Sequence, residues 1–334
     1  MKTMVLLYFI LLMAERITAI SSPAQRLRQL IQTRDSGSAL ILPGIHDGLS
    51  AKILVQSGAQ VLFLSGFGVT ASLLGKPDVG ILTQTEMEST LRNVVQALEN
   101  ISPCPPIVVD GDTGFGGENN IRRTVRQFAS AGAAAITIED QMFPKKCTYA
   151  AGEGVRVVER DECIRRVKVA LAARDEAKEL DQHDILVVAR TDCRAALGFE
   201  EARSRCLAFE SLGADIVYAE NLQSKEEYME LRSSLKPKTF TMLAQVQTGD
   251  LSQKMYTSMD VGEMGFDLAL FGITALQAQV SALKKTAQTM FSSMNSGGLV
   301  ARDLDITSFV EMKEIIGFKE SEDFQSRFDN KKSK

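Results

Sequence analysis

The chain has 334 residues, 45% hydrophobic and 24% charged, which is ordinary globular composition with enough apolar material for a large core. A formal net charge of -4 argues against a nucleic-acid-binding footprint, and two histidines, His46 and His183, argue against a His-rich zinc centre. The five cysteines, Cys104, Cys147, Cys163, Cys193 and Cys206, are odd in number and form no CxxC, so they read as thiols of a reduced chain rather than a disulfide scaffold.

The first segment in chain order differs from the rest. One lysine precedes an apolar run over 4–14, and a small-residue site follows near Ala19. Residues 1–20 therefore read as a signal-type targeting segment, too short to span a membrane. The competing reading is a surface-packed or poorly ordered extension on a cytoplasmic protein. A signal leading to a reducing organelle would reconcile this segment with the cysteines.

Eight short, nearly continuous apolar runs follow: "ALILPG" (39–44), "VLFLSG" (61–66), "PIVVDGD" (106–112), "AAITIED" (134–140), "ILVVART" (185–191), "ADIVYAE" (214–220), "TFTMLAQ" (239–245) and "LALFGIT" (268–274). Runs of this kind are strands buried on both faces, hence parallel ones. Helical patterns alternate with them. "NIRRTVRQFASAG" starts on Asn and stops on Gly, "GFEEARSRCLAFESLG" has early acids and a terminal Gly, and "SKEEYMELRSSL" opens on a Ser cap. "ALQAQVSALKKTAQTMFSSM" follows the eighth run. This series predicts an α/β fold, a (β/α)8 TIM barrel over 25–300, with an open doubly wound sheet as the alternative. Residues 301–334 read as a C-terminal helical extension with a polar, lysine-rich tail.

In such a barrel the chemistry lies at the C-terminal ends of the strands. Those ends carry Ser65-Gly66, then Asp110 and Asp112, Glu139-Asp140, Arg190, Glu220 and Gln245. Asp110 and Asp112, at i and i+2 on a strand, are expected to face one point, and the repulsion between them calls for a cation. Mg2+ suits a few carboxylates plus water, with Mn2+ as the alternative ion. A turn built on Asp-Gly is the competing reading of this stretch. An EF-hand is poorly supported, because the fifth position is Gly114 and the twelfth is Ile121. "GFGVTA" (66–71) resembles a dinucleotide fingerprint, but Gly75, Pro77 and Gly80 interrupt the helix that must follow. The Gly- and Lys-bearing stretch after Glu139 reads as a loop that closes over a site. In it Lys145 and Lys146 precede Cys147 and are expected to lower its thiol pKa, with an incidental surface cysteine as the competing reading.

Taken together, "PGIHDGLSAKI", "LSGFGVTASLLGKPDVGILT", "VVDGDTGFGG", "ITIEDQMFPKKC", "VARTDCRAALGFEEARSR" and "GADIVYAEN" resemble the isocitrate lyase / phosphoenolpyruvate mutase superfamily over roughly 25–300, nearest its petal-death-protein and 2-methylisocitrate-lyase-like members, which are often labelled carboxyvinyl-carboxyphosphonate phosphorylmutase. The resemblance implies a (β/α)8 barrel in a homotetramer that exchanges helices. It implies Mg2+ held by Asp78, Asp110, Asp112 and Glu139. It also implies that Ser65, Gly66, Phe67 and Arg190 hold the 2-oxo acid part of a small carboxylate substrate, with Glu220 and Gln245 lining the pocket. Chemistry would pass through an enolate stabilised by the metal and Arg190, with Cys147 on a gating loop as general acid.

Two departures stand out. The lyase loop usually continues Cys-Gly-His, and here it reads Cys147-Thr148-Tyr149; the usual "N-x-x-E" segment is replaced near Gln245 and Thr248. The expected activity is a Mg2+-dependent carbon–carbon lyase or hydrolase on a methylisocitrate-, dimethylmalate- or oxaloacetate-like acid. The alternatives are a phosphonate-type P–C mutase or hydrolase, and a ligand-binding barrel that has lost its gating-loop chemistry.

Overall fold

A computed structural model describes residues 21–35, 37–151, 154–250, 252–295 and 304–328. The expected targeting segment, 1–20, lies outside the described residues, and among these no helix is long and apolar enough to cross a membrane. Helix α1 (Pro23–Thr33) leads into strand β1 (Leu40–Ile45). Then come α2 (Gly48–Gln56), β2 (Leu62–Leu64), the single-turn α3 (Gly66–Val69), α4 (Gln84–Ala97), β3 (Ile107–Asp110), α5 (Glu118–Ser130) and β4 (Ala135–Ile138). The second half runs α6 (Thr148–Ala151), α7 (Arg160–Leu180), β5 (Leu186–Thr191), α8 (Arg194–Leu197), α9 (Phe199–Leu212), β6 (Ile216–Ala219), α10 (Lys225–Ser234), β7 (Phe240–Ala244), α11 (Ser258–Glu263) and β8 (Leu268–Phe271). Helices α12 (Thr274–Asn295), α13 (Phe309–Ile316) and α14 (Phe318–Ser326) complete the described chain.

All eight apolar runs are strands. They pair in parallel and in chain order, and β8 returns to β1 with Leu40 opposite Leu268, which closes the barrel. Buried residues sort into two layers by strand parity. Leu42, Phe63, Val108, Ala135, Val188, Tyr218, Met242 and Leu270 fill the barrel interior. Their neighbours Leu64, Val109, Ile136, Val187, Val217, Leu243 and Ala269 face outward under the helices. In α5, Ile121, Val125 and Phe128 supply the covering stripe at helical spacing, and burial of each is worth about 1.5–3 kcal/mol. Gly213 ends α9 in the left-handed conformation that the sequence pattern implied, and Ser224 caps α10 by accepting from the Glu227 amide. The segment after β2 is a single helical turn and a π turn ended by Gly75, so no dinucleotide-type helix forms there.

None of the five cysteines is in a disulfide. Burial pushes the thiols of Cys104, Cys163, Cys193 and Cys206 up, which keeps them protonated and inert as packing residues.

Candidate active site

The two-residue period of the strands aims the site residues. Asp110 follows Val108, Glu139 follows Ala135 and Thr137, Arg190 follows Leu186 and Val188, and Glu220 follows Ile216 and Tyr218. Each continues an inward-facing row past its last apolar member, so polar groups converge where the core ends. They wall a cavity of about 90 Å3 together with Ser65, Phe67, Asp78, Lys145, Cys147, Tyr149 and Gln245. Gly66 and Asp112 stand behind that wall. A Cβ on Gly66 would lie 2.9 Å from Asp110 Oδ2 and 3.3 Å from Asp112 Oδ1, so glycine lets the backbone approach both carboxylates.

Asp110 and Asp112 do converge, but not by the strand period. Strand β3 ends at Asp110 and the chain turns sharply, Asp112 taking a left-handed φ of 48°. Gly111 permits the turn, since a Cβ there would collide with the Thr137 carbonyl and the Ile136 side chain of β4. Asp110 accepts from the amides of Gly66 (3.3 Å) and Asp112 (3.2 Å) and from the Thr137 hydroxyl (3.0 Å). Burial alone would raise its pKa; Lys145, Arg190 and these donors overcome that and hold it below the ordinary value. Asp112 lacks such a cradle. Burial, reinforced by Asp110 and Asp78 and only partly offset by Lys145, pushes it up to about 7. Glu139 is pushed well above its ordinary value, by burial first and then by Asp192 and Asp112 against the pull of Arg190 and Lys145. Its Oε1 is buried without a hydrogen-bond partner.

Arg190 is held by three carboxylates. Its Nε donates to Asp192 Oδ1 at 2.6 Å, and its Nη2 lies 3.0 Å from Asp192 Oδ2, 3.2 Å from Glu220 Oε2 and 3.5 Å from Glu139 Oε2. The guanidinium also lies over the Tyr218 ring, 5.4 Å from its centroid. Burial works against its charge, but Asp192, Glu139 and Glu220 raise its pKa well above the ordinary value, so it is a fixed cation at the cavity wall.

The loop after β4 brings Lys145 and Cys147 to the same cavity. Lys145 was expected to act on the Cys147 thiol. Its ammonium instead hydrogen-bonds Asp112 and lies 3.0 Å from Asp78, drawn there by the carboxylate surplus. Gln141 ties this loop to the arginine. Its Nε2 donates both to the Lys146 carbonyl (2.9 Å) and to Asp192 Oδ2 (2.5 Å), and its Oε1 accepts from the Lys146 amide (2.9 Å). Gln245 borders the cavity, but its amide group is bonded at both ends to the Tyr256 backbone, 2.9 and 2.7 Å away, so it fixes the chain after β7. Asp140, adjacent to Glu139, faces away from the site. It accepts from the Asp192 amide (2.8 Å) and pairs with buried Arg205 (2.9 Å), which ties the end of β4 to β5 and α9.

A profile of the phosphoenolpyruvate phosphomutase family matches residues 27–291. The chain belongs to that family. Within the isocitrate lyase / phosphoenolpyruvate mutase superfamily it is 28% identical to 2,3-dimethylmalate lyase of Eubacterium barkeri, over 91% of this chain and 98% of that protein. Among solved structures, an oxaloacetate acetylhydrolase in complex with 3,3-difluorooxalacetate superposes with a TM-score of 0.80 at 29% identity, covering 93% of this chain and 99% of that one. A phosphonopyruvate hydrolase solved with oxalate and Mg++ superposes with a TM-score of 0.75 at 27% identity, covering 92% and 99%. Family members thus include enzymes of carbon–carbon and of phosphorus–carbon bonds.

Three residues of this site, Gln141, Asp192 and Tyr218, did not stand out in the sequence, and Lys145 stood out only as a neighbour of the Cys147 thiol. For Asp192 a signal existed, because it lies two residues beyond Arg190, the spacing that pairs side chains on a strand. Tyr218 sits in an apolar run and reads as core. Its hydroxyl donates to Glu220, and no sequence pattern announces that bond.

Proposed function

We propose that this chain is a Mg2+-dependent lyase or hydrolase that breaks a carbon–carbon bond in a small 2-hydroxy or 2-oxo carboxylate. The observation that carries the reading is one cavity walled at once by the carboxylates Asp78, Asp110 and Glu139, the fixed cation Arg190 and the thiol of Cys147. Family relatives acting on dimethylmalate and oxaloacetate support it, and a mutase reading gives Cys147 no role.

The residues suit a hard divalent cation. Glu139 Oε1 has no partner, Asp112 and Glu139 are pushed toward protonation, and all the donors are oxygens. Among the described residues no three acidic, His or Cys side chains already form a metal cage, because the Lys145 ammonium lies against Asp112 and Asp78. Asp78, Asp110, Asp112 and Glu139, directly or through water, would hold Mg2+ once Lys145 moves aside. When bound, the ion supplies concentrated positive charge beside a developing oxyanion.

The chain's own groups do the rest. Arg190, pinned by Asp192, orients a substrate carboxylate and stabilises enolate charge without reorganising. Ser65 and Phe67 form the facing wall; the Gly66 amide is engaged with Asp110. In a 2-hydroxy acid, as the carbon–carbon bond breaks, its electron pair passes to the departing fragment and the hydroxyl proton passes to the carboxylate wall; in a 2-oxo acid, water first adds to the carbonyl and supplies that hydroxyl. The Cys147 thiol protonates the departing fragment and is left as thiolate. The test is incubation of the chain from Ser21 onward with Mg2+ and a panel of such acids, with products followed by proton NMR. Glyoxylate or pyruvate plus a mono- or dicarboxylate identifies a lyase, and oxalate plus acetate a hydrolase. Cys147→Ser should lower the lyase rate by about 100-fold or more, the scale of a lost general acid. No turnover, with EDTA-sensitive oxalate binding intact, would replace this reading with a binding-only barrel.

We propose further that the protein is a homotetramer that exchanges α12. Through Ser292 no residue of this helix is buried, and it displays Val280, Leu283 and Phe291. On β1, Ile41 is 51% exposed on a face that a barrel helix ordinarily covers. Light scattering should show an oligomer, and Leu283→Asp together with Phe291→Asp should convert it to monomer; a monomeric parent would sink the assembly.

A further inference from the structure

Tyr149 is a partition between two cavities. One is the chamber of about 90 Å3 that Arg190 and Cys147 share. The other, of about 380 Å3, lies against it and is walled by Gln223, Ser224, Tyr228, Gln253, Lys254 and Tyr256. Tyr149 borders both. Ala244, Gln245 and Val246 also border both, but they belong to β7 and the chain just after it, where the paired amide of Gln245 holds them. Tyr149 alone among the shared residues belongs to the loop that carries Cys147. Its hydroxyl lies 3.5 Å from the Ala244 carbonyl and feels the nearby Glu220 carboxylate, so the ring stands in the gap between the ends of β6 and β7.

The two sides differ in chemistry. The inner chamber is small and already holds its charged groups in mutual pairs. The outer cavity offers the Lys254 ammonium, which suits an anionic extension, while the Gln223 and Gln253 amide nitrogens on its wall are bonded to the Asn221 and Val246 carbonyls. The phenol between them is neutral: burial, Glu220 and Tyr228 keep its pKa well above the ordinary value.

We propose that Tyr149 is a specificity-determining residue that limits substrate length, confining this enzyme to short dicarboxylates and rejecting tricarboxylates. This rests on the lyase-or-hydrolase reading above. Removing the ring joins the chambers and gives a third carboxylate a polar place near Lys254.

The experiment compares wild type, Tyr149→Phe and Tyr149→Ala, with Tyr149→Ser as a second short variant should the loop pack poorly in the first. Two ratios are read: kcat/KM for a tricarboxylate over a dicarboxylate, and, by calorimetry with Mg2+, the affinity for tricarballylate over that for oxalate. Tyr149→Ala should raise both ratios by at least about tenfold, the scale on which a pocket discriminates by size. Tyr149→Phe, which keeps the ring, should leave them near wild type. Wild type that handles tricarboxylates as well as dicarboxylates, or an alanine variant with unchanged ratios, would overturn the proposal. If wild type turns over no acid, the lyase-or-hydrolase reading fails, and the binding ratio still decides the role of Tyr149.

Discussion

Arg190→Lys is expected to lower kcat/KM by about 100- to 1,000-fold, the effect of removing one preorganised oxyanion donor. Lysine keeps the positive charge that Asp192, Glu139 and Glu220 require, so the three buried carboxylates stay compensated and the barrel should fold. What is lost is the planar fork. Arg190 meets both oxygens of Asp192, through Nε at 2.6 Å and Nη2 at 3.0 Å, and an ammonium cannot reproduce that fixed orientation. The measurement is steady-state kinetics beside a thermal melt. A variant with an unchanged melt and unchanged kcat/KM would remove Arg190 from the chemistry; a collapsed melt would show that its role is to balance charge.

The second large effect is on stability. Arg205→Met should destabilise the fold by about 3–5 kcal/mol, because it leaves the Asp140 carboxylate buried without its cation. Both side chains are 1% exposed and 2.9 Å apart, and the Arg205 Nε also donates to Glu201 at 2.8 Å. Burial and Asp192 already raise the pKa of Asp140 against the stabilising bonds from Asp192, Thr191 and Arg205. Adding Asp140→Asn to the methionine variant should restore most of the loss, since no uncompensated charge then remains. Urea unfolding checks both. A cost below about 1 kcal/mol, the range of an exposed pair, would contradict the assignment of Asp140 and Arg205 as a buried tie.

The fold was legible because parallel strands buried on both faces write themselves as continuous apolar runs, and every such run became a strand. The convergence of Asp110, Glu139, Arg190 and Glu220 was legible for a related reason: each ends such a run. Other features were hidden because they depend on partners distant in sequence or on conformations off the regular periods. Asp112 reaches its place through a left-handed residue rather than through strand alternation. Lys145 lies 33 residues from Asp112 in sequence, and what draws it there is a surplus of negative charge that exists only once the barrel has closed. Asp140 looked like a second mouth carboxylate beside Glu139; adjacent strand residues point to opposite faces, and that parity sends it to Arg205.

Gln141 has a consequence for timing. One amide nitrogen holds both the Lys146 carbonyl and Asp192, the residue that orients Arg190. A loop excursion that carries Lys146 away leaves the Gln141 amide with one anchor fewer, so the brace on Asp192 slackens while solvent enters. If the loop opens in this way, orienting the arginine and shutting out water would go together. Under the chemistry proposed above, such an arrangement would be least reactive when most exposed, and would keep bulk water from an enolate until the departing fragment has received its proton.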